Sequence, residues 1–382
     1  MKIRAIRPLL NKITVLSILV TTIFSGCGLI DRRPAFKPPQ TLRPNLYRGV
    51  FQVHSEFSHD SQANFDRIIK NGDRAGLDFV VITDHSTFEG AEAYRKGKFS
   101  EKPLLIFGTE LSTSGGNLLV MGVNEVPPDI MDTETQIEWV HQHGGFVVIP
   151  HPFSKKKHWT MWGLRSIDGM ELFSLSDIWY KNPAAYIFKS VFLFPEDFLK
   201  EMIKRPGYAL GYWDMMQKKF PIVGFAGLNA HIKLEMFGIP IENLLLYFQS
   251  ATMYVEAENL TAEKITTALR QGNSFIAFEV NGLANDFQFS ARTAQRAYGQ
   301  GATIDTQPGE AVLFSVMIPF EGRIRCVLNG NIIKDEVAKS LEFRGSEPGF
   351  YRVEVERDGR PWILSNPIYL SHKPLPVESK LF

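Results

Sequence analysis

Phe79-Val80-Val81-Ile82-Thr83-Asp84-His85 is the stretch that decides how this chain folds. Four apolar residues in succession suit a strand covered on both faces, because a half-exposed strand would alternate polar and apolar positions. The run then ends on Asp84 and His85, side chains that can bind a metal or carry a proton. Comparable runs lie at 49–53, 104–107, 118–122, 146–149, 170–173 and 222–225. Helical spacing separates several of them. Phe65, Ile68, Ile69 and Ala75 share one face, and Gly76 stands where a helix would stop. Ile137 and Val140 share another, with Thr133 and Gln136 spaced as a capping box. Later, Thr261 opens a helix with Ile265, Ala268 and Leu269 on one face and Gly272 as its stop. Strands alternating with helices predict an α/β fold with parallel strands, and seven strands fit a closed or nearly closed barrel.

The ends of these runs carry the chemistry. Gln52 and His54 end the first, with Asp60 shortly after; Asp84 and His85 end the second, and Glu110 the third. Asn117 lies just before the fourth, His151 ends the fifth, and Asn229 and His231 follow the seventh. In a parallel barrel the C-terminal strand ends converge on one mouth, so these side chains are expected to face one substrate. Lys233 is placed for a phosphate contact, whereas Lys155-Lys156-Lys157 read as a solvated loop.

Taken in order, Gly49-Val50-Phe51-Gln52-Val53-His54-Ser55, Ile82-Thr83-Asp84-His85, Gly108-Thr109-Glu110, Pro150-His151-Pro152 and Asn229-Ala230-His231 resemble the motifs of the polymerase-and-histidinol-phosphatase (PHP) family. The resemblance covers residues 46–280 and implies a distorted (β/α)7 barrel that hydrolyses phosphate esters with two or three divalent metals, often Zn, Mn or Fe. It places Gln52, His54, Glu110 and Asn229 around a first metal. Glu110, Asn117 and His151 would surround a second, and Asp60, His85 and His231 a third. His54, Glu110 and His151 would be the catalytic positions, and Lys233 a substrate-binding one. Such a cluster lowers the pKa of bound water and offsets charge on a phosphoryl group.

The chain departs from the pattern at three ligand positions. Gln52 replaces the first His of a His-x-His motif, Asn117 replaces a His, and Asn229 replaces the Asp of Asp-Ala-His. Neutral amide oxygens bind Zn or Mn more weakly than imidazole or carboxylate. Fewer than three metals per chain are therefore expected, with the Asp60–His85–His231 set the one to be filled. Two functions stay open: a metal-dependent hydrolase of phosphate or related esters, and a catalytically impaired barrel that binds a ligand or a protein.

Outside the barrel, an insertion at 154–219 is dense in large apolar groups, from Tyr186-Ile187-Phe188 through Val191-Phe192-Leu193-Phe194. Helices across the mouth, a substrate roof or a membrane contact would each use such residues. From about Gly282 the texture turns to β, with turn signals at Asn329-Gly330 and Asp358-Gly359. This predicts a small all-β, sandwich-like domain over 281–375.

At the N-terminus, Lys2, Arg4, Arg7 and Lys12 precede an uncharged run from Ile13 to Phe24. Twelve residues are too few to span a bilayer, which needs roughly 20, but suit the core of a signal peptide. Phe24-Ser25-Gly26-Cys27 resembles a bacterial lipobox, implying lipidation at Cys27 after removal of residues 1–26. Residues 27–45, with Pro34, Pro38, Pro39 and Pro44, read as a stiff tether. Gly28 after the cysteine implies an outer-membrane lipoprotein facing the periplasm in a Gram-negative host. A net charge of +1 argues against a nucleic-acid partner. The expected partners are thus a small phosphorylated or other ester substrate, and the membrane through the lipid anchor. Only Cys326 remains as a second thiol, and it reads as a buried hydrophobe.

Overall fold

Burial explains the strand assignment first: every residue of Phe79–Asp84, Gly116–Met121, Phe146–Ile149 and Gly169–Ser174 is covered. The computed structural model describes residues 33–39, 41–233, 235–236, 239–240 and 243–372, and Cys27 with the segment before it lies outside the described residues. Seven strands close a barrel in chain order: β1 (Leu46–Val53), β2 (Phe79–His85), β3 (Leu104–Thr113), β4 (Gly116–Met121), β5 (Phe146–Ile149), β6 (Gly169–Ser174) and β7 (Val223–Ala230). Closure comes from β7 beside β1, where Phe51 faces Gly227 and Val53 faces Ala230.

The all-parallel expectation is corrected at β4, which runs antiparallel to both β3 and β5. Only Ser114-Gly115 link β3 to β4, a connection too short for a crossover and suited to a hairpin. The reversal brings the N-terminal end of β4, with Asn117, to the mouth that the C-terminal ends of the other strands form.

Around the barrel stand α1 (Phe65–Arg74), α2 (Glu89–Lys96) and α3 (Thr133–Gln142), followed in the insertion by α4 (Leu175–Lys181), α5 (Pro183–Phe192), α6 (Pro195–Met202) and α7 (Gly207–Gln217). The Asn64 side chain caps α1 by accepting from the Arg67 N–H at 3.0 Å. On α3 the cap is Asp132 rather than Thr133; its carboxylate accepts from the Thr135 N–H at 2.9 Å. The insertion borders the mouth through Trp159 and Thr160, beside Pro152 and Gly115, and through the start of α4 at Ser176. Phe198 and Leu199 of α6, with Leu210 and Trp213 of α7, are buried in the core shared with the barrel.

The β-rich tail is an extension of the barrel sheet. Strand Thr252–Glu256 pairs antiparallel with the first half of β1, and Ser274–Ala277 pairs with it in turn. Arg360–Ser365 adds to that edge, then Gly349–Arg357, Val312–Leu328 and Asn331–Gly345. A second core, including Phe275, Phe287, Phe314, Tyr351 and Trp362, fills this part. At the junction Arg48 is fully buried against Glu279, which also accepts from the Tyr254 hydroxyl at 2.5 Å and the Thr252 hydroxyl at 2.9 Å.

Residues 33–39, read as tether, lie against the barrel end opposite the mouth. The Ala35 N–H donates to Gln249 Oε1 at 2.8 Å, and Gln249 Nε2 donates to the Phe36 carbonyl at 2.9 Å. Pro38 packs on Gly76, whose φ of 70° and lack of Cβ both serve the approach.

Candidate metal centre

Three residues at the mouth hold a backbone that non-glycine residues rarely adopt: Gln52 at φ 64°, His151 at φ 29° and Asn229 at φ 47°. Around Gln52 the register of β1 shifts against both β2 and β7, between Val50 or Phe51 and Val53. A bulge of this kind re-aims side chains beside a site.

Glu110 sits at the centre of the mouth, buried to 1% exposure. Gln52 Nε2 donates to one carboxylate oxygen at 3.1 Å, with His54 Nε2 at 3.3 Å from the same oxygen. Asn117 Nδ2 at 2.6 Å and His151 Nε2 at 3.0 Å take the other. A carboxylate repels an amide oxygen, so both amides must turn their NH2 groups toward it. Burial pushes the Glu110 carboxyl upward, but His151 and His54 hold it well below the usual range. Burial pulls His151 down, yet Glu110 raises it to about 9. Glu110 and His151 therefore form an ion pair at neutral pH, with two amides completing the carboxylate's hydrogen bonds.

Beside this network lies a second cluster. His54, Asp60, His85 and His231 each offer one ligand atom, all within 4.8 Å of one another. Asp60 Oδ2 is 2.9 Å from His231 Nε2 and 3.7 Å from His85 Nε2. The rings of His54 and His231 stack at 4.2 Å. His231 Nδ1 lies 2.7 Å from the Asn229 carbonyl, which can only accept, so Nδ1 carries the proton and Nε2 the lone pair. Ser58 Oγ donates to Asp60 at 2.8 Å, which leaves it an acceptor for His54 Nδ1 at 3.3 Å. Both histidines thus present Nε2 to the cluster, and neither Nε2 has a hydrogen-bond partner. Burial, reinforced by His54, pulls His231 down to about 4, so it is neutral at pH 7. For Asp60, burial works upward, but the neighbouring His231 and His85 rings take the carboxyl below its ordinary value. His54 and His231, held through Nδ1, together with His85 and the Asp60 carboxylate, form a donor set that fits a divalent metal of the Zn, Mn or Fe type.

The structure therefore redistributes the expected ligands. His54, assigned by resemblance to the first metal, joins Asp60, His85 and His231. Glu110, Asn117 and His151 come together as expected, but as a closed hydrogen-bonded set that includes Gln52. Asn229 leaves the first set, donating instead from Nδ2 to Ser176 Oγ at 3.1 Å. Lys233 is exposed, with Nζ 3.4 Å from Asp60 Oδ2. Cys326 is buried, and burial pushes its thiol up to about 12, in keeping with an inert residue.

Sequence reasoning missed Glu171 and Asp177. Glu171 accepts from the His151 N–H at 2.6 Å, and burial pushes its carboxyl up to about 8 against the pull of His151. Gly227 leaves room for it, since a Cβ there would stand 1.7 Å from Glu171 Oε1. Burial pushes Asp177 up to about 6. The available signal was an acid inside an otherwise uncharged six-residue strand, Gly169–Ser174. Asp84, at the end of β2, accepts from both the N–H and hydroxyl of Ser55 at 2.6 Å and so fixes the loop after β1.

Residues 51–157 match the PHP domain. A curated relative, the uncharacterized protein MJ1587 of Methanocaldococcus jannaschii, is 30% identical over 108 residues, 28% of this chain and 63% of that relative. The chain thus spans less than two thirds of that relative's length. Among solved structures, a two-domain protein from Bacteroides vulgatus, containing a predicted PHP-like metal-dependent phosphoesterase, is similar at 14% identity and a TM-score of 0.43, covering 88% of this chain and 99% of that one. A protein from Bifidobacterium adolescentis, designated a metal-dependent phosphoesterase, is similar at 13% identity and a TM-score of 0.33, over 54% of this chain and 94% of that one.

Proposed function

We propose that this chain, whose barrel carries a PHP domain, is a hydrolase of phosphate or related esters that works with one divalent metal held by His54, Asp60, His85 and His231. One observation carries the reading. Glu110 is hydrogen-bonded by Gln52, Asn117 and His151, whereas the Nε2 atoms of His54 and His231 are buried, without a hydrogen-bond partner, and gathered with Asp60 and His85. A metal bound there would supply an acidified water and offset negative charge on a phosphoryl group. Asp60 is the single anionic ligand, so the occupied site keeps a net positive charge and favours an anionic substrate. Lys233 adds a second cation beside it. His151, protonated at neutral pH, holds a proton at Nδ1 that has no partner and can serve a leaving oxygen.

The N-terminal segment supports a place in the cell envelope, with Cys27 lipidated and the barrel periplasmic in a Gram-negative host. The closed Glu110 network favours the second reading, a barrel that binds rather than cuts. Hydrolysis of an aryl phosphate diester with Mn or Zn separates them. The expected result is measurable turnover that His231→Ala abolishes. Absence of turnover with either metal would leave the binding reading.

A further inference from the structure

We infer that the α5–α6 face carrying Phe188, Phe192 and Phe194 rests on the lipid surface, so that the barrel mouth points away from the membrane. The inference builds on the lipid-anchor reading and goes beyond it, because the anchor alone fixes distance and not orientation. The three rings are 67%, 62% and 51% exposed, and Phe188 and Phe192 touch at 5.0 Å between centroids. The Phe188–Phe192 pair, with exposed Phe194 two residues further along the chain, forms an aromatic face of a kind that soluble surfaces rarely leave bare.

What covers this face is indicated by where the described chain begins. The Arg33 guanidinium lies 5.1 Å over the ring of Phe194. Only five residues separate Arg33 from Cys27, a reach of at most about 22 Å when fully extended. A lipid on Cys27 would therefore hold the aromatic face next to the bilayer. Among the described residues no helix is long and apolar enough to cross a membrane, so the face would lie on the surface rather than within it.

Charge defines the mode of contact. Lys189, Lys200, Arg360 and Arg33 border the face, opposed by Glu196, Asp197 and Glu201. Lys189 pairs with Glu201 at 2.7 Å and Lys200 with Glu196 at 2.5 Å. Four cations against three carboxylates leave little net attraction for anionic lipid. Aromatic area then drives the contact, and neutral lipid suffices.

Orientation follows from the fold. Residues 33–39 pack at the N-terminal strand ends, with Pro38 on Gly76 and Phe36 beneath Arg48. His54, Asp60, His85 and His231 lie at the other end, about 25 Å away along β1 at 3.3 Å per residue. The mouth would then receive soluble substrates rather than the headgroups of its own membrane.

The full chain in phosphatidylcholine vesicles tests this with an added tryptophan read against the six native ones. Phe192→Trp is expected to add blue-shifted emission that brominated acyl chains quench. Lys156→Trp, in the exposed loop beyond β5 at the mouth, is expected to add emission that is not quenched. A chain that floats with vesicles while its Phe192→Trp emission stays unquenched overturns the inference and leaves the anchor intact. Crosslinking between copies at position 192 would overturn it in favour of a second copy. If the chain fails to float and Cys27 takes up no labelled fatty acid, the anchor reading and this inference both fall.

Discussion

Gln52 and Asn117 each turn an amide NH2 toward Glu110, at positions where the resemblance expects metal-binding imidazole. The sequence displays these replacements directly, and weak amide ligation follows from the residue types alone. The geometry adds that the amides act as donors, so the substitutions build a hydrogen-bonded network instead of merely deleting ligands. Glu171 was not legible, because a carboxyl on a buried strand acquires its role only from the His151 backbone that bends over it. Its effect can be measured. His151 is raised from 6.5 to about 9, so its stabilising contribution is full below pH 6.5 and lost as pH rises through 9. Glu171, raised from 4.5 to about 8, contributes fully below pH 4.5 and loses that contribution as pH rises through 8. Both act in the same direction. Metal-free protein should lose thermal stability between about pH 6.5 and 9, and Glu171→Gln should lose less; a flat melting profile would contradict the pairing.

Elements were read well where local rules operate unopposed. Phe65, Ile68 and Ile69 bury one face of α1, and Gly76 stops it at positive φ, as the spacing predicts. The cap on α1 is Asn64, and Asn64→Ala should cost about 1 kcal/mol in denaturant unfolding without changing metal content. A metal loss in that variant would tie α1 to the site more closely than its packing indicates. The reversal at β4 was legible only in the shortness of Ser114-Gly115, because apolar runs look alike in either direction. The fate of α4–α7 was not legible at all: apolar density cannot tell a roof from an outer layer, and here it divides into buried Phe198 and Trp213 and exposed Phe188 and Phe192.

At the scale of the whole molecule, the barrel and the β tail share one run of hydrogen-bonded strands across Thr252–Glu256, Ser274–Ala277 and Arg360–Ser365. A change of texture near Gly282 marks where β patterning begins, but pairing between strands distant in sequence leaves no local trace. The buried Arg48–Glu279 pair pins this junction, and the Arg352–Asp214 and Arg205–Glu354 pairs tie α7 and its approach to the tail. Arg48→Met would strand Glu279 in the interior, with an expected loss of roughly 3–5 kcal/mol by chemical unfolding. A loss under about 1 kcal/mol would show that the junction does not need the pair.

On the proposed reading the mouth holds one metal, with protein groups standing in place of the others. Elemental analysis of the purified full chain, after dialysis against metal-free buffer following loading with Zn or Mn, tests this most directly. One equivalent per chain is expected, lost in His231→Ala and retained in Asn117→Ala. Two or more tightly held equivalents in the unaltered chain would contradict the account.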